Sequence, residues 1–223
     1  MRLSSVILAR VLAYVEIVDL NPRGRVYYPD IARALAQRYS FQRYPQSADQ
    51  LDLQKGVEFY EGKWKGVIIQ NFTIFSTMLA LETRCDTDDS KKILDDILAW
   101  CVEKFKLTYN PEMISRFGYV SSLTFYSDAP LLDGNAAMTN LAGRTAQLVS
   151  DIWKEPVEYS GVSIAVGHEP LSRKYPIARF TIQRRADTKF AENKYLSEAP
   201  LPTNAHLELL EMYERDIGGA RSF

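Results

Sequence analysis

Two histidines, His168 and His206, are the first places to look for acid–base chemistry in this 223-residue sequence. His168 precedes Glu169 in "VGHEP", at the end of an expected strand, where an imidazole beside a carboxylate could act as a general base. No G-x-S-x-G turn, cysteine nucleophile or metal-ligand spacing accompanies the pair. An enzyme with an unrecognised site near His168 is therefore the third-ranked reading. His206, in "TNAHLELL", falls on an expected helix and shows no partner in the sequence. At both positions an exposed or ordinarily hydrogen-bonded histidine is the expectation.

Asp86, Asp88 and Asp89 form the densest acidic cluster. Read as a calcium loop from Asp86, the pattern puts Lys91 where glycine must turn the chain and Ile97 where the bidentate glutamate belongs. It fits a helix start instead, because acids there accept from free N–H groups and complement the helix dipole. Gly161 and Gly167 stand one position too far apart for a phosphate loop, and His168 and Glu169 follow where lysine and a hydroxyl are required. Cys85 and Cys101 would lie roughly 20 Å apart along one helix, too far to form a disulfide. The sequence thus points to no catalytic residue, no metal ligand and no cofactor.

Positive charge interleaved with aromatic rings is the remaining chemical signal. Residues 21–45 carry Arg23, Arg25, Arg33, Arg38 and Arg43 with Tyr27, Tyr28, Tyr39, Phe41 and Tyr44, against Asp30 alone. Residues 171–194 carry Arg173, Lys174, Arg179, Arg184, Arg185, Lys189 and Lys194, against Asp187 and Glu192. From these, Arg23, Arg25, Tyr28, Arg43, Tyr44, Arg173, Lys174, Arg184 and Arg185 are taken as a candidate interaction surface. The formal charge of −1 and sequence pI of about 6.2 supply no field to steer nucleic acid. Arginine and tyrosine are also enriched where proteins bind proteins.

The leading expectation is a non-catalytic binding or adaptor protein acting through protein–protein contacts, including self-association as a homo-oligomer. A nucleic-acid-binding module using residues 21–45 and 171–194 is the alternative. The opening "MRLSSVILARVLAYVEIVDL" is broken by Arg10, Glu16 and Asp19, which argues against export or a bilayer span and for a cytoplasmic protein without membrane partners.

The elements that must position these residues follow from periodicity. Ile7, Ala9, Val11, Ala13, Val15 and Ile17 alternate as one face of a strand over 6–19. A helix is expected from Pro29 to Tyr39, then strands at about 56–61, 65–74 and 77–84, the first two joined by a turn at Gly62-Lys63. That register puts Trp64 on the opposite face from Lys63 and Lys65. The next helix carries Ile93, Leu94, Ile97, Leu98 and Cys101 on one stripe. A strand over 118–130, a helix over 136–152, strands near 157–167 and 177–186, a polar loop and a helix over 203–217 complete the chain. This order predicts an α+β fold: an antiparallel sheet with helices packed mainly on one face, built from a strand–helix–strands–helix unit that occurs twice. Residues 1–110 and 111–223 would be its halves, within one continuous globular domain.

Overall fold

The structure is a computed structural model, in which residues 1–168 and 177–219 are described. The described residues form an α+β fold with one antiparallel sheet of eight strands and five α-helices. In chain order these are β1 (Arg2–Tyr14), α1 (Ile17–Leu20), α2 (Tyr28–Arg38), β2 (Val57–Trp64), β3 (Val67–Phe75), β4 (Met78–Thr83) and α3 (Thr87–Phe105), followed by β5 (Arg116–Tyr126), α4 (Ala136–Trp153), β6 (Ser163–Val166), β7 (Phe180–Arg184), β8 (Lys194–Ala199) and α5 (Thr203–Gly219). The sheet order is β2-β3-β4-β1-β5-β8-β7-β6. β1 to β4 and β5 to β8 therefore follow the same connection pattern, each with a helix after its first strand and another after its last. None of the described helices is long and apolar enough to cross a membrane.

By internal packing the chain divides into two units. Among the described residues, the larger comprises 8–121 with 201–203, and the smaller comprises 1–7, 122–168, 177–200 and 204–219.

In the larger unit, the alternation of β1 sends Ala9, Val11 and Ala13 into the core, and Val15 and Ile17 continue the buried series beyond it. Ile17, expected at the strand's end, instead opens α1, and Ile7 is 42% exposed. Ile31 and Leu35 of α2, with Tyr39 at its C-terminal end, pack with Ile93, Leu94, Ile97, Leu98 and Cys101 of α3 against Phe59, Ile69, Phe72 and Leu81 of the sheet. Asp86 caps α3, its Oδ1 accepting from the Asp89 amide at 2.6 Å, so the acidic cluster does serve as a helix start.

The β2–β3 hairpin corrects the expected turn. Trp64 pairs with Val67, and Lys65 and Gly66 form the turn with φ of 44° and 88°. A two-residue hairpin loop with both central φ angles positive matches the twist of its strands, and Gly66 supplies one at no steric cost. Because the pleat ends at Trp64, Lys65 folds back with Nζ 4.6 Å from the Trp64 ring centroid. Gly62 stays inside the strand, where an added Cβ would lie 2.5 Å from the Phe41 ring.

The smaller unit has a compact core of Leu123, Phe125, Leu131, Leu132, Ile182, Tyr195 and Leu210. Its strand β8 replaces the expected polar loop.

Candidate interaction surface

α4 occupies the place after β5 that α2 occupies after β1. Asn135 starts it by accepting from the amides of Ala137 and Met138 at 3.0 and 3.2 Å. The two helices then part ways: α2 buries Ile31, Ala32, Leu35 and Ala36, whereas no residue of α4 is buried. Leu141, Leu148, Ile152 and Trp153 of α4 are 60%, 64%, 77% and 72% exposed. Leu141, Leu148 and Ile152 lie on one stripe and leave an apolar surface of the kind that marks an interaction site, with Trp153 exposed beside its C-terminal end.

The chain beside α4 is cross-linked by one arginine. The Arg184 side chain is 8% exposed and ion-paired to Asp133 at 3.3 Å. Its Nε donates to the Gly161 carbonyl at 2.9 Å, Nη1 to the Phe190 carbonyl at 3.0 Å and Nη2 to Ser160 Oγ at 3.0 Å. The guanidinium also stacks 4.8 Å from the Phe190 ring centroid. One planar fork thus ties three loop segments to the end of β7. A cleft of about 460 Å³ opens among Thr139, Gly143, Tyr159, Gly161 and Phe190. Its charged lining residues, Arg184 and Asp133, already satisfy each other, so the cleft offers no net charge for an ionic ligand. β6 ends the sheet order, and Val162 and Val166, at and beside its ends, are 61% and 64% exposed.

The arginines and tyrosines singled out from the sequence take different places. Arg23 and Arg25 are exposed in the connection before α2. Tyr28, the first residue of α2, stands at an apolar cavity, while Tyr44 packs against the core of the larger unit. Arg43 stacks 4.6 Å from the Tyr60 ring centroid and pairs with Glu61 at 3.2 Å. Arg43 and Tyr44 line a shallow cleft with Asp49, Asp52, Lys55 and Glu58, where carboxylates outnumber cations. Arg185 is exposed, Arg184 is the internal clamp described above, and Arg173 and Lys174 lie outside the described residues. Arg33 and Arg38 also meet carboxylates, those of Asp30 at 3.6 Å and Asp96 at 3.4 Å.

The histidines differ sharply. His168 is exposed, with Nε2 3.3 Å from the Ile177 carbonyl, and Glu169 lies outside the described residues. His206 is fully buried, and its Nε2 lies 2.8 Å from Ser197 Oγ, a partnership the sequence did not reveal. The Ser197 hydroxyl also lies 2.6 Å from the Thr181 carbonyl. That carbonyl can only accept, so the single hydroxyl proton goes to it and the Nε2–H of a neutral ring donates to Oγ. Burial drives the His206 pKa down to about 4. With Ser197 and His206 both at 0% exposure and the hydroxyl proton engaged by a carbonyl, the pair is a core hydrogen bond rather than a nucleophile and base.

The apolar cavity near Tyr28 lies between the sheet, α2 and α3, and holds about 80 Å³. That is small beside the roughly 300–1,000 Å³ of ligand pockets. Of its polar lining residues, Asn21 spends its side-chain amide on Val26, donating to the carbonyl at 2.9 Å and accepting from the N–H at 3.4 Å, and Tyr28 supplies one hydroxyl. No group of acidic, histidine or cysteine side chains among the described residues is arranged to hold a metal ion.

Comparison of the sequence with protein-family models and with curated proteins finds no match. Among the described residues, α4 leaves Leu141, Leu148 and Ile152 of one stripe uncovered, against what a self-contained fold requires.

Proposed function

We propose that this chain is a non-catalytic binding or adaptor protein that works through protein–protein contacts, with a second copy of itself or with a different protein. The observation that carries the reading is the α4 stripe. An amphipathic helix gains most of its stability by burying its apolar face, and α4 leaves that face in water while its counterpart α2 covers its own. The stretch of β6 and its flanks adds exposed valines and a strand edge to the same unit. Cys85 and Cys101 are both free thiols, which suits a reducing compartment such as the cytoplasm. Nucleic-acid binding has less support, because Arg33, Arg38, Arg43 and Arg184 already meet carboxylates within the chain.

Light scattering coupled to size-exclusion chromatography, together with affinity capture by the tagged chain, tests the proposal. A mass above that of one chain, or a stoichiometric complex lost on Leu148→Ser substitution, is expected. A strict monomer that captures nothing contradicts it.

A further inference from the structure

The stripe of α4, exposed except at half-buried Thr145, has a spacing that specifies what fits it. Met138, Leu141, Thr145, Leu148 and Ile152 recur at alternating intervals of three and four, the a and d positions of a two-heptad seam. Such a seam is shaped for another helix, because knobs at this spacing enter the holes of a facing α-helix. Thr145 is the polar member, and its hydroxyl donates back to the Leu141 carbonyl at 2.8 Å, which leaves its methyl on the stripe.

The charged flank of the seam is complementary to itself. Half-buried Ala142 and Val149 occupy the e flank, and Arg144 and Asp151 occupy the g flank, exposed and without an ionic or hydrogen-bond partner among the described residues. In an antiparallel helix pair, g positions face g positions. The register that brings Arg144 opposite Asp151 of a second copy also stacks Leu141 on that copy's Ile152 and Thr145 on its Leu148. Two-fold symmetry repeats each contact, so one helix pair gains two ion pairs and four core layers. Sliding by one heptad either way sets Arg144 against Arg144 or Asp151 against Asp151, which is repulsive. In a parallel pair g faces e, and Arg144 would meet Val149. With a second copy as the partner, the charges therefore favour one direction and one register.

We infer that α4 is a homodimerisation helix, pairing antiparallel with α4 of a second copy through Leu141, Thr145, Leu148 and Ile152 and fixed in register by reciprocal Arg144–Asp151 ion pairs. The inference rests on the proposed binding function and names its partner. The half-buried e flank puts both copies on one side of the helix pair, and the ion pairs face solvent on the other, where salt screens them.

Sedimentation equilibrium on wild type, Arg144→Asp, Asp151→Arg and the double variant tests this, with far-UV circular dichroism as the folding control. Each single reversal turns two attractions into two repulsions, and the dimer Kd is expected to rise roughly tenfold to thirtyfold. The double variant rebuilds both pairs with signs exchanged and is expected to return to within about threefold of wild type. A dimer indifferent to the single reversals, or one the double variant fails to restore, overturns the inference while leaving the binding function standing. So does a wild-type monomer that forms a defined complex with a different protein. A monomer that captures nothing removes both.

Discussion

Arg184 and Asp133 meet at 3.3 Å, and the same guanidinium donates to the carbonyls of Gly161 and Phe190. A residue that looks like surface charge in the sequence is an internal fastener. Arg184→Met should cost about 2–4 kcal/mol, since it leaves two carbonyls and a carboxylate short of donors. Asp133→Asn keeps an acceptor oxygen and should cost under about 1 kcal/mol. Urea denaturation of the three proteins checks the order.

The paired helices α2 and α4 offer a second contrast. Leu35 is buried at 1% exposure, and Leu35→Ala should destabilise by about 2–5 kcal/mol. Leu148, at 64% exposure, supports nothing beneath it, and Leu148→Ser should change monomer stability by no more than about 0.5 kcal/mol while weakening self-association. Thermal unfolding at low protein concentration measures the first effect, and a concentration series measures the second.

Much of this architecture can be read directly from residues. The stripes of Ile31, Leu35 and Tyr39, and of Ile93 through Cys101, announce α2 and α3 because each buries a face against the sheet. β8 escapes such reading because its inward residues are Tyr195, Ser197 and Ala199, which do not alternate in hydrophobicity. Ser197 belongs in the core only because Thr181 and His206, distant in sequence, satisfy its hydroxyl. The α4 stripe is equally plain in sequence, yet periodicity alone assigns an apolar face to the protein's own core. That the face remains uncovered emerges only from the fold.

Acid should expose the cost of burying His206. Its pKa falls from an ordinary 6.5 to about 4 on folding, so between those values the unfolded chain binds a proton that the folded one refuses. Stability is therefore complete above about pH 6.5 and declines as pH falls toward 4, by about 3 kcal/mol in all. His206→Gln, which keeps a hydrogen-bonding amide but cannot titrate, should flatten this part of the profile in urea titrations from pH 4 to 7.5.

The Asp86 cap predicts a purely structural role for the acidic cluster. Asp86→Ala should cost about 1 kcal/mol through loss of the bond to the Asp89 amide. Millimolar calcium should leave the melting temperature of wild type unchanged, whereas a rise of several degrees would mean that the carboxylates bind a cation.

Hydrogen–deuterium exchange across a dilution series tests most directly whether the α4 face is where this protein binds. Amides of residues 136–153 should exchange more slowly as concentration rises through the association range, while those of α2, already covered, stay constant. Unchanged exchange in α4 while the measured mass doubles would contradict the account.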